Sequence, residues 1–573
     1  MKMVKSLLLG SAAGLAAVAG AQAADLPVKA KPVEYVKICS LYGEGFFYIP
    51  GTDTCIKIGG WVRYDQYFGN TGGSGNPYIS GAAARNDSFD SADYQTRART
   101  VISFDVRTQT EYGTLRAYYR GGFELTSNYV SQGAYYLERA FVQFAGFTFG
   151  KTQSYFDTWD HAWSYAHAFL GAGASTSAGG RNVAAWTATL GNGVSWTVAA
   201  EDATSRRGAL WDAGTNSMAL GAFPGPNTWT GVGYPTCGFG SVTSDQNIAT
   251  GTLTIASAPF SVSGSCATGD YAAQQIPDIV SSLRVDQAWG SAQISGALHQ
   301  VRGNFYGNDV FPAVVAGPNA FTGVRPGDVW GWAVAGGIVF NLPWNPGDKF
   351  WVEGAVGQGT PCYVGICQDG VNGTYVRVNG AQVAAGWGLD GVFANLVAPA
   401  APSPAAGGVT NFSGIVLPTV FDVAAAVEHY WTPALRTSLF GSVTGWEAGD
   451  AITANGGGST LNKIMCSSPV GPVRTFAGAT PNFATGGVLG CDFSFEVLGV
   501  GTRTVWNPVK NLDIGVEVMW SQIHQHMQAP NPAAGTGVLF NYGGGGNRAA
   551  GFYAPSDEQV VSGMFRVQRN FWP

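Results

Sequence analysis

The sequence predicts an all-β fold: a sixteen-stranded antiparallel transmembrane β-barrel with short periplasmic turns and long extracellular loops. Three observations predict it. The chain opens on an export leader and later offers no uninterrupted apolar run of about 18 residues, so no helix is expected to span a membrane. Sixteen segments alternate apolar and polar residues with a period of two, as strands wet on one face do. Their connections alternate strictly between long and short, which puts all the long loops at one end of the sheet.

The leader comes first. Lys2 and Lys5 precede the apolar run Leu7–Ala19, and Ala21-Gln22-Ala23 before Ala24-Asp25 reads as a small-x-small cleavage site. Residues 1–23 are therefore expected to be a signal peptide. Residues 24–55 form an N-terminal periplasmic extension whose second half, Cys39 to Cys55, closes a small disulfide loop. The barrel occupies 56–573.

The expected strands are Ile56–Phe68, Thr96–Thr110, Thr114–Thr126, Tyr135–Ala145, Phe147–Gln153, Arg181–Leu190, Gly193–Ala203 and Ile276–Asp286. They continue as Trp289–Arg302, Val329–Asn341, Asp348–Gly357, Thr419–Tyr430, Ala434–Trp446, Phe493–Trp506, Lys510–Ile523 and Gln559–Phe571. In Thr114–Thr126, for instance, Leu115, Ala117, Tyr119 and Phe123 oppose Arg116, Arg120 and Glu124. Aromatics such as Trp289, Trp431, Trp506 and Trp520 stand near strand ends, where a membrane barrel carries its girdles. A soluble β-sandwich shares the alternation and the leader, but not sixteen strands with one-sided loops.

Composition narrows the class further. Charged residues make up 12% and aromatic residues 13%, and the formal net charge is −6, which argues against a nucleic-acid binder. The eight cysteines are Cys39, Cys55, Cys237, Cys266, Cys362, Cys367, Cys466 and Cys491, an even number in an exported chain. Sequential pairing is the simplest scheme, because each neighbouring pair falls within one inter-strand segment.

The third long connection, residues 154–180, is rich in aromatics: YFDTWDHAWSYAHAFLGAGASTSAGG from Tyr155. It is expected to fold into the lumen and narrow it. Strand parity turns Arg63, Arg120 and Arg139 inward at mid-height, with Arg99 slightly above, and the loop offers Asp157 and Asp160. An acidic loop facing a basic wall sets a transverse field across a narrow pore. Glu353, Asp422, Glu428 and Glu517 also face inward by parity. The loop aromatics Trp159, Trp163, Tyr165 and Phe169 suggest the alternative of a greasy track for sugars. His161 and His167 in the same loop titrate near neutral pH in principle.

Two chemical motifs are set aside. Gly146-Phe-Thr-Phe-Gly150-Lys151-Thr152 has three residues between its glycines, not the four of a phosphate loop, and no helix follows. His524-Gln-His526 has no carboxylate or cysteine close in sequence. No metal and no cofactor are expected, and no spacing singles out the nucleophile–base pair of an enzyme.

Several stretches resemble the general porins of alphaproteobacteria, the family of rhizobia and Brucella-like bacteria. They are MKMVKSLLLGSAAGLAAVAGAQAAD, VEYVKICSLYGEGFFYIPGTDTCIKIGGWVRYD, TEYGTLRAY, ERAFVQFAGFTFGKTQSYFD, IPDIVSSLRVDQAWGSAQISGAL and the closing GMFRVQRNF. The resemblance covers the strand framework, not the long loops. It implies an outer-membrane homotrimer embedded in lipid and lipopolysaccharide, with passive diffusion of small hydrophilic solutes and an inward-folded third loop. It also implies that Phe571 is the signal read by the barrel-assembly machinery. Family chains usually end at that phenylalanine, whereas Trp572 and Pro573 follow it here. The long loops leave a surface adhesin as a more distant alternative.

Overall fold

A computed structural model describes residues 37–69, 94–127, 134–158, 164–165, 180–213, 271–304, 325–366, 374–394, 413–454, 457–468, 472–479, 481, 487–542 and 551–571. The leader, the first part of the extension, and Trp572 and Pro573 lie outside them.

Among the described residues, sixteen strands form the wall, beginning with β1 (Cys55–Phe68), β2 (Tyr94–Thr110), β3 (Gly113–Thr126), β4 (Ala134–Phe144), β5 (Phe147–Thr152), β6 (Arg181–Gly191), β7 (Val194–Glu201) and β8 (Asp278–Gln287). The second half comprises β9 (Gly290–Val301), β10 (Val329–Asn341), β11 (Lys349–Gln358), β12 (Thr419–Thr432), β13 (Leu435–Glu447), β14 (Phe495–Trp506), β15 (Leu512–Gln525) and β16 (Glu558–Asn570). Each matches one expected segment to within two residues at either end. Every strand pairs antiparallel with its neighbour in sequence, and β1 pairs with β16 from Trp61↔Asn570 to Phe68↔Gly563. The sheet is a closed ring, so no strand edge faces lipid.

Alternation sets the two faces. On β3, Leu115, Phe123 and Leu125 are exposed on the outside, while Arg116 and Glu124 pair with charged groups inside. Trp289, Trp431 and Trp506 are exposed at the short-turn end, as an interfacial girdle requires. Between β4 and β5, Ala145 (φ 50°) and Gly146 (φ 83°) make a two-residue turn with positive φ at both positions, the geometry that matches strand twist.

The extension is not a separate body where it is described. Phe47–Tyr48 adds a short antiparallel strand to Cys55–Ile56, and the Cys39–Cys55 disulfide closes this hairpin. The seam between β1 and β16 ends on a tight contact. The backbone N–H of Phe571 donates to the Gly60 carbonyl at 3.1 Å. Gly60 has φ +148°, and a Cβ there would stand 2.1 Å from the Val101 carbonyl oxygen and 2.6 Å from the Phe571 ring. Only glycine lets the Phe571 ring lie against β1.

The long loops at the other end build their own structure. Ala209–Asp212, after β7, pairs in parallel with Leu389–Phe393, after β11. A five-stranded sheet runs in the order Thr374–Asn379, Gln382–Trp387, Gly551–Pro555, Val538–Tyr542, Val473–Thr475. The helix Thr460–Ser467 carries Cys466, which is bonded to Cys491. This cap packs onto the inner wall of β8–β15. The Trp446 indole donates to the Leu389 carbonyl at 2.9 Å, and Trp387 packs on Phe493 and Phe540. Here the wall itself is made of small apolar residues, Ala297, Ala333, Ala335, Ala355, Ala424 and Ala426, all buried in one cluster with the cap. Small side chains leave room for the loops between the walls.

Two predictions follow from this packing. Gly60→Ala is expected to push Phe571 off its seat and lower the temperature at which the barrel loses its heat-resistant migration on a denaturing gel; an unchanged transition would count against the contact. Cys362 is also disulfide-bonded, and Cys237, Cys266 and Cys367 lie outside the described residues. Non-reducing peptide mapping is expected to return Cys237–Cys266 and Cys362–Cys367; a crossed pair would refute sequential pairing.

Candidate functional site

The inner face of β16, β1, β2, β3 and β4 carries a belt of charge. Asp65 accepts hydrogen bonds from Arg97 at 3.0 Å and Arg566 at 2.6 Å and is ion-paired with Arg63 at 3.1 Å. Arg99 reaches Glu124 at 3.1 Å and Glu138 at 3.7 Å, and also donates to the Tyr136 hydroxyl at 2.7 Å. Arg120 meets Glu138 at 2.6 Å. Arg139 donates to the Glu138 carbonyl at 2.8 Å. Five of these arginines share three carboxylates and Arg139 adds a sixth positive charge, which leaves the belt basic. Arg120 and Glu124 remain accessible, with side chains 40% and 31% exposed.

Glu138 owes its position to a β-bulge. The register shifts between Arg120↔Arg139 and Gly121↔Leu137, so Glu138 is the extra residue on β4. A bulge re-aims a side chain. It turns both Glu138 and Arg139 inward, where strict alternation would send Glu138 into lipid.

The third loop lies against the opposite wall in its described parts. Ser154 Oγ donates to Glu201 at 2.6 Å, and the Tyr155 N–H donates to the same carboxylate at 2.9 Å. Gln293 and Ser295, inward on β9, donate to the carbonyls of Asp157 (3.0 Å) and Phe156 (2.7 Å). Thr158 bonds Glu353 on β11, and the Tyr165 N–H bonds Glu517 on β15. The described parts of the loop therefore contact β7, β9 and β11 through residues 154–158 and β15 through Tyr165. There Tyr165 meets the edge of the belt: Arg566 stands 4.0 Å and Arg503 5.0 Å from its ring centre. Burial pushes the Tyr165 hydroxyl above its ordinary value although the two arginines oppose it, so the ring stays neutral between them.

A second buried cluster ties the cap to β8 and β9. His299 Nδ1 lies 2.8 Å from Asp278, and its Nε2 lies 3.6 Å from Asp390. Tyr363 donates to Asp278 at 2.6 Å, Tyr271 donates to Asp390, and the Gly208 N–H donates to both Asp390 oxygens. Burial pushes the Asp390 carboxyl up, with His299 and Tyr271 opposing.

The expected site residues divide accordingly. Arg63, Arg99, Arg120 and Arg139 share the belt. Asp157 is 6% exposed, and its ion-pair partner is Arg206 from the loop after β7, not one of those four. Arg206 also donates to the Cys362 carbonyl at 3.0 Å and stacks over Tyr363. Glu353, Asp422, Glu428 and Glu517 are buried on the inner wall. Asp160, Trp159, Trp163, Phe169, His161 and His167 lie outside the described residues. Sequence reading missed Arg97, Arg566, Glu138 and Arg206. Parity was enough for the first two, and a glutamate left facing lipid was the signal for the third.

The family described as the porin subfamily matches residues 25–542. Porin Omp2a of Brucella ovis is 38% identical over 176 residues, covering 27% of this chain and 47% of that relative. Porin Omp2a of Brucella abortus strain S19 is 45% identical over 127 residues, covering 22% and 36%. The matched region thus spans less than half the length of these curated relatives. Among solved structures, the outer membrane channel DcaP of Acinetobacter baumannii aligns over 91% of this chain and 99% of its own, at 12% identity and a TM-score of 0.48. The anion-selective porin from Comamonas acidovorans aligns over 90% and 100%, at 8% identity and a TM-score of 0.38. The closed ring of sixteen strands and a family match over most of the length have one conclusion: the chain belongs to the porin subfamily and is a multi-pass β-barrel of the outer membrane.

Proposed function

We propose that this protein is a water-filled channel for passive diffusion of small hydrophilic solutes and ions. The observation that carries the reading is the basic belt on β16–β4, on which the Arg120 side chain is 40% exposed, facing a wall that the third loop and the cap cover. The third loop narrows the lumen by crossing to β15, and solutes pass between it and the arginines. Excess arginine along that passage favours anions, since charge lining a narrow pore sets ion preference. A sugar-selective track is the weaker reading, because Tyr165 is packed under two arginines and only 9% exposed. The chain assembles as a homotrimer through the outer face around β5. That strand has six residues, short of the roughly nine needed to cross a bilayer, so a protein neighbour covers this low wall better than lipid does.

Three measurements test this. Liposome swelling should fall smoothly with solute size across sugars and amino acids; a single sugar far off the curve would instead support a selective track. Replacing Arg99, Arg120 and Arg139 by Gln should raise conductance and move the reversal potential in a salt gradient toward cations, with the shift shrinking in molar salt, where screening reaches about 3 Å. No shift would place the belt outside the permeation path. Asp157→Asn should act differently. It leaves the buried Arg206 guanidinium without its counter-charge, a loss of about 3–5 kcal/mol, so the loop should become protease-sensitive and single-channel traces noisier. A quiet, protease-resistant variant would show that the loop is not seated by this pair.

A further inference from the structure

We propose that His524, His526 and Glu496 form a binding site for a divalent transition-metal ion of the Zn2+ or Cu2+ class at the external rim of the barrel. The fold supplies the carboxylate that the sequence around His524 lacks. Glu496 and His524 are direct cross-strand partners on β14 and β15. The His526 N–H donates to the Ser494 carbonyl at 3.2 Å, which extends the ladder by two residues and puts both imidazoles on one face. One ligand atom from each of the three side chains lies within 4.8 Å of the others. His526 Nε2 stands 3.0 and 2.9 Å from the two Glu496 oxygens. Two ligands bound at about 2.1 Å to a tetrahedral ion sit roughly 3.4 Å apart, so a small side-chain movement admits the ion.

The surroundings match what a ligating imidazole needs. A metal-bound histidine usually presents its other ring nitrogen to a carboxylate, which fixes its orientation. His524 Nδ1 lies 2.6 Å from Asp557, and His526 Nδ1 lies 3.8 Å from Asp492. Both carboxylates are held independently of any ion. Asp557 accepts from the Gln525 N–H at 3.0 Å, and Asp492 accepts from Asn462 at 3.0 Å and from the Ser494 N–H at 2.9 Å. The two Nε2 atoms are left to ligate beside Glu496. His524 is half exposed, so the ion enters from solution and water completes the coordination. Two imidazoles and one carboxylate select Zn2+, Cu2+ or Ni2+ over Ca2+ and Mg2+, which prefer oxygen ligands. The site lies on the lipid-facing side: Val516 and Val518 of β15 are exposed on the same face as His524.

Calorimetry with ZnCl2 and with CaCl2 on the full-length protein folded in detergent tests the assignment. One Zn2+ per chain is expected, with Ca2+ at least tenfold weaker. His524→Gln and His526→Gln should each weaken Zn2+ at least tenfold. Asp557→Asn should weaken it less while leaving one site. Cu2+ at one equivalent should show nitrogen coupling from two imidazoles by electron paramagnetic resonance. Unchanged Zn2+ binding in the His524→Gln/His526→Gln double variant overturns the proposal, because the ion then sits elsewhere. Equal affinity for Ca2+ also overturns it, as that is the mark of a general acidic patch. Heat-modifiable gel migration confirms that each variant is folded. If a histidine variant fails that check, Glu496→Gln takes its place, with the same tenfold loss expected and unchanged binding overturning the site.

Discussion

The structure depends on one constraint: a backbone in hydrocarbon must satisfy every N–H and C=O within itself. Closing β1 onto β16 meets it. Closure forces the far ends of the chain into register, and this is why a glycine and an aromatic residue more than five hundred positions apart are in contact at Gly60 and Phe571. It also forces an inside. Period-two alternation then delivers every second residue of each strand to water or to protein, and charge collects there because the outside cannot hold it.

The inside is not uniform. Where the wall is built of alanines on β9–β12, the cap and the third loop fill the space. Where it carries arginines on β16–β4, the side chains pair laterally with carboxylates of the same wall. The loop attaches through Glu201, Glu353 and Glu517, acceptors whose burial is tolerable because loop N–H and hydroxyl groups satisfy them.

All sixteen strands were legible because the lipid imposes the same rule on each of them. What was not legible came from departures from that rule and from contacts between distant segments. Glu138 faces inward through a bulge, and one inserted residue reverses the parity of everything beyond it on the strand. Asp157 carries no sign in sequence that Arg206, across two strands and a turn, is its partner. The five-stranded sheet of the cap draws on three different connections, and no local pattern announces strands as short as Val473–Thr475. The arginines of the belt were readable as inward residues, but their sharing of carboxylates was a matter of register.

The cap also ties the long connections to one another. Its sheet pairs Val383 with Pro555 and Val473 with Phe540. The chain between each pair of partners runs through strands of the wall, so the cap is anchored to the barrel at several points. The connection after β15 pairs with the connection after β11 on one side and with the connection after β13 on the other. None of the three can lift away from the mouth without breaking backbone pairing with another, so they open together or not at all.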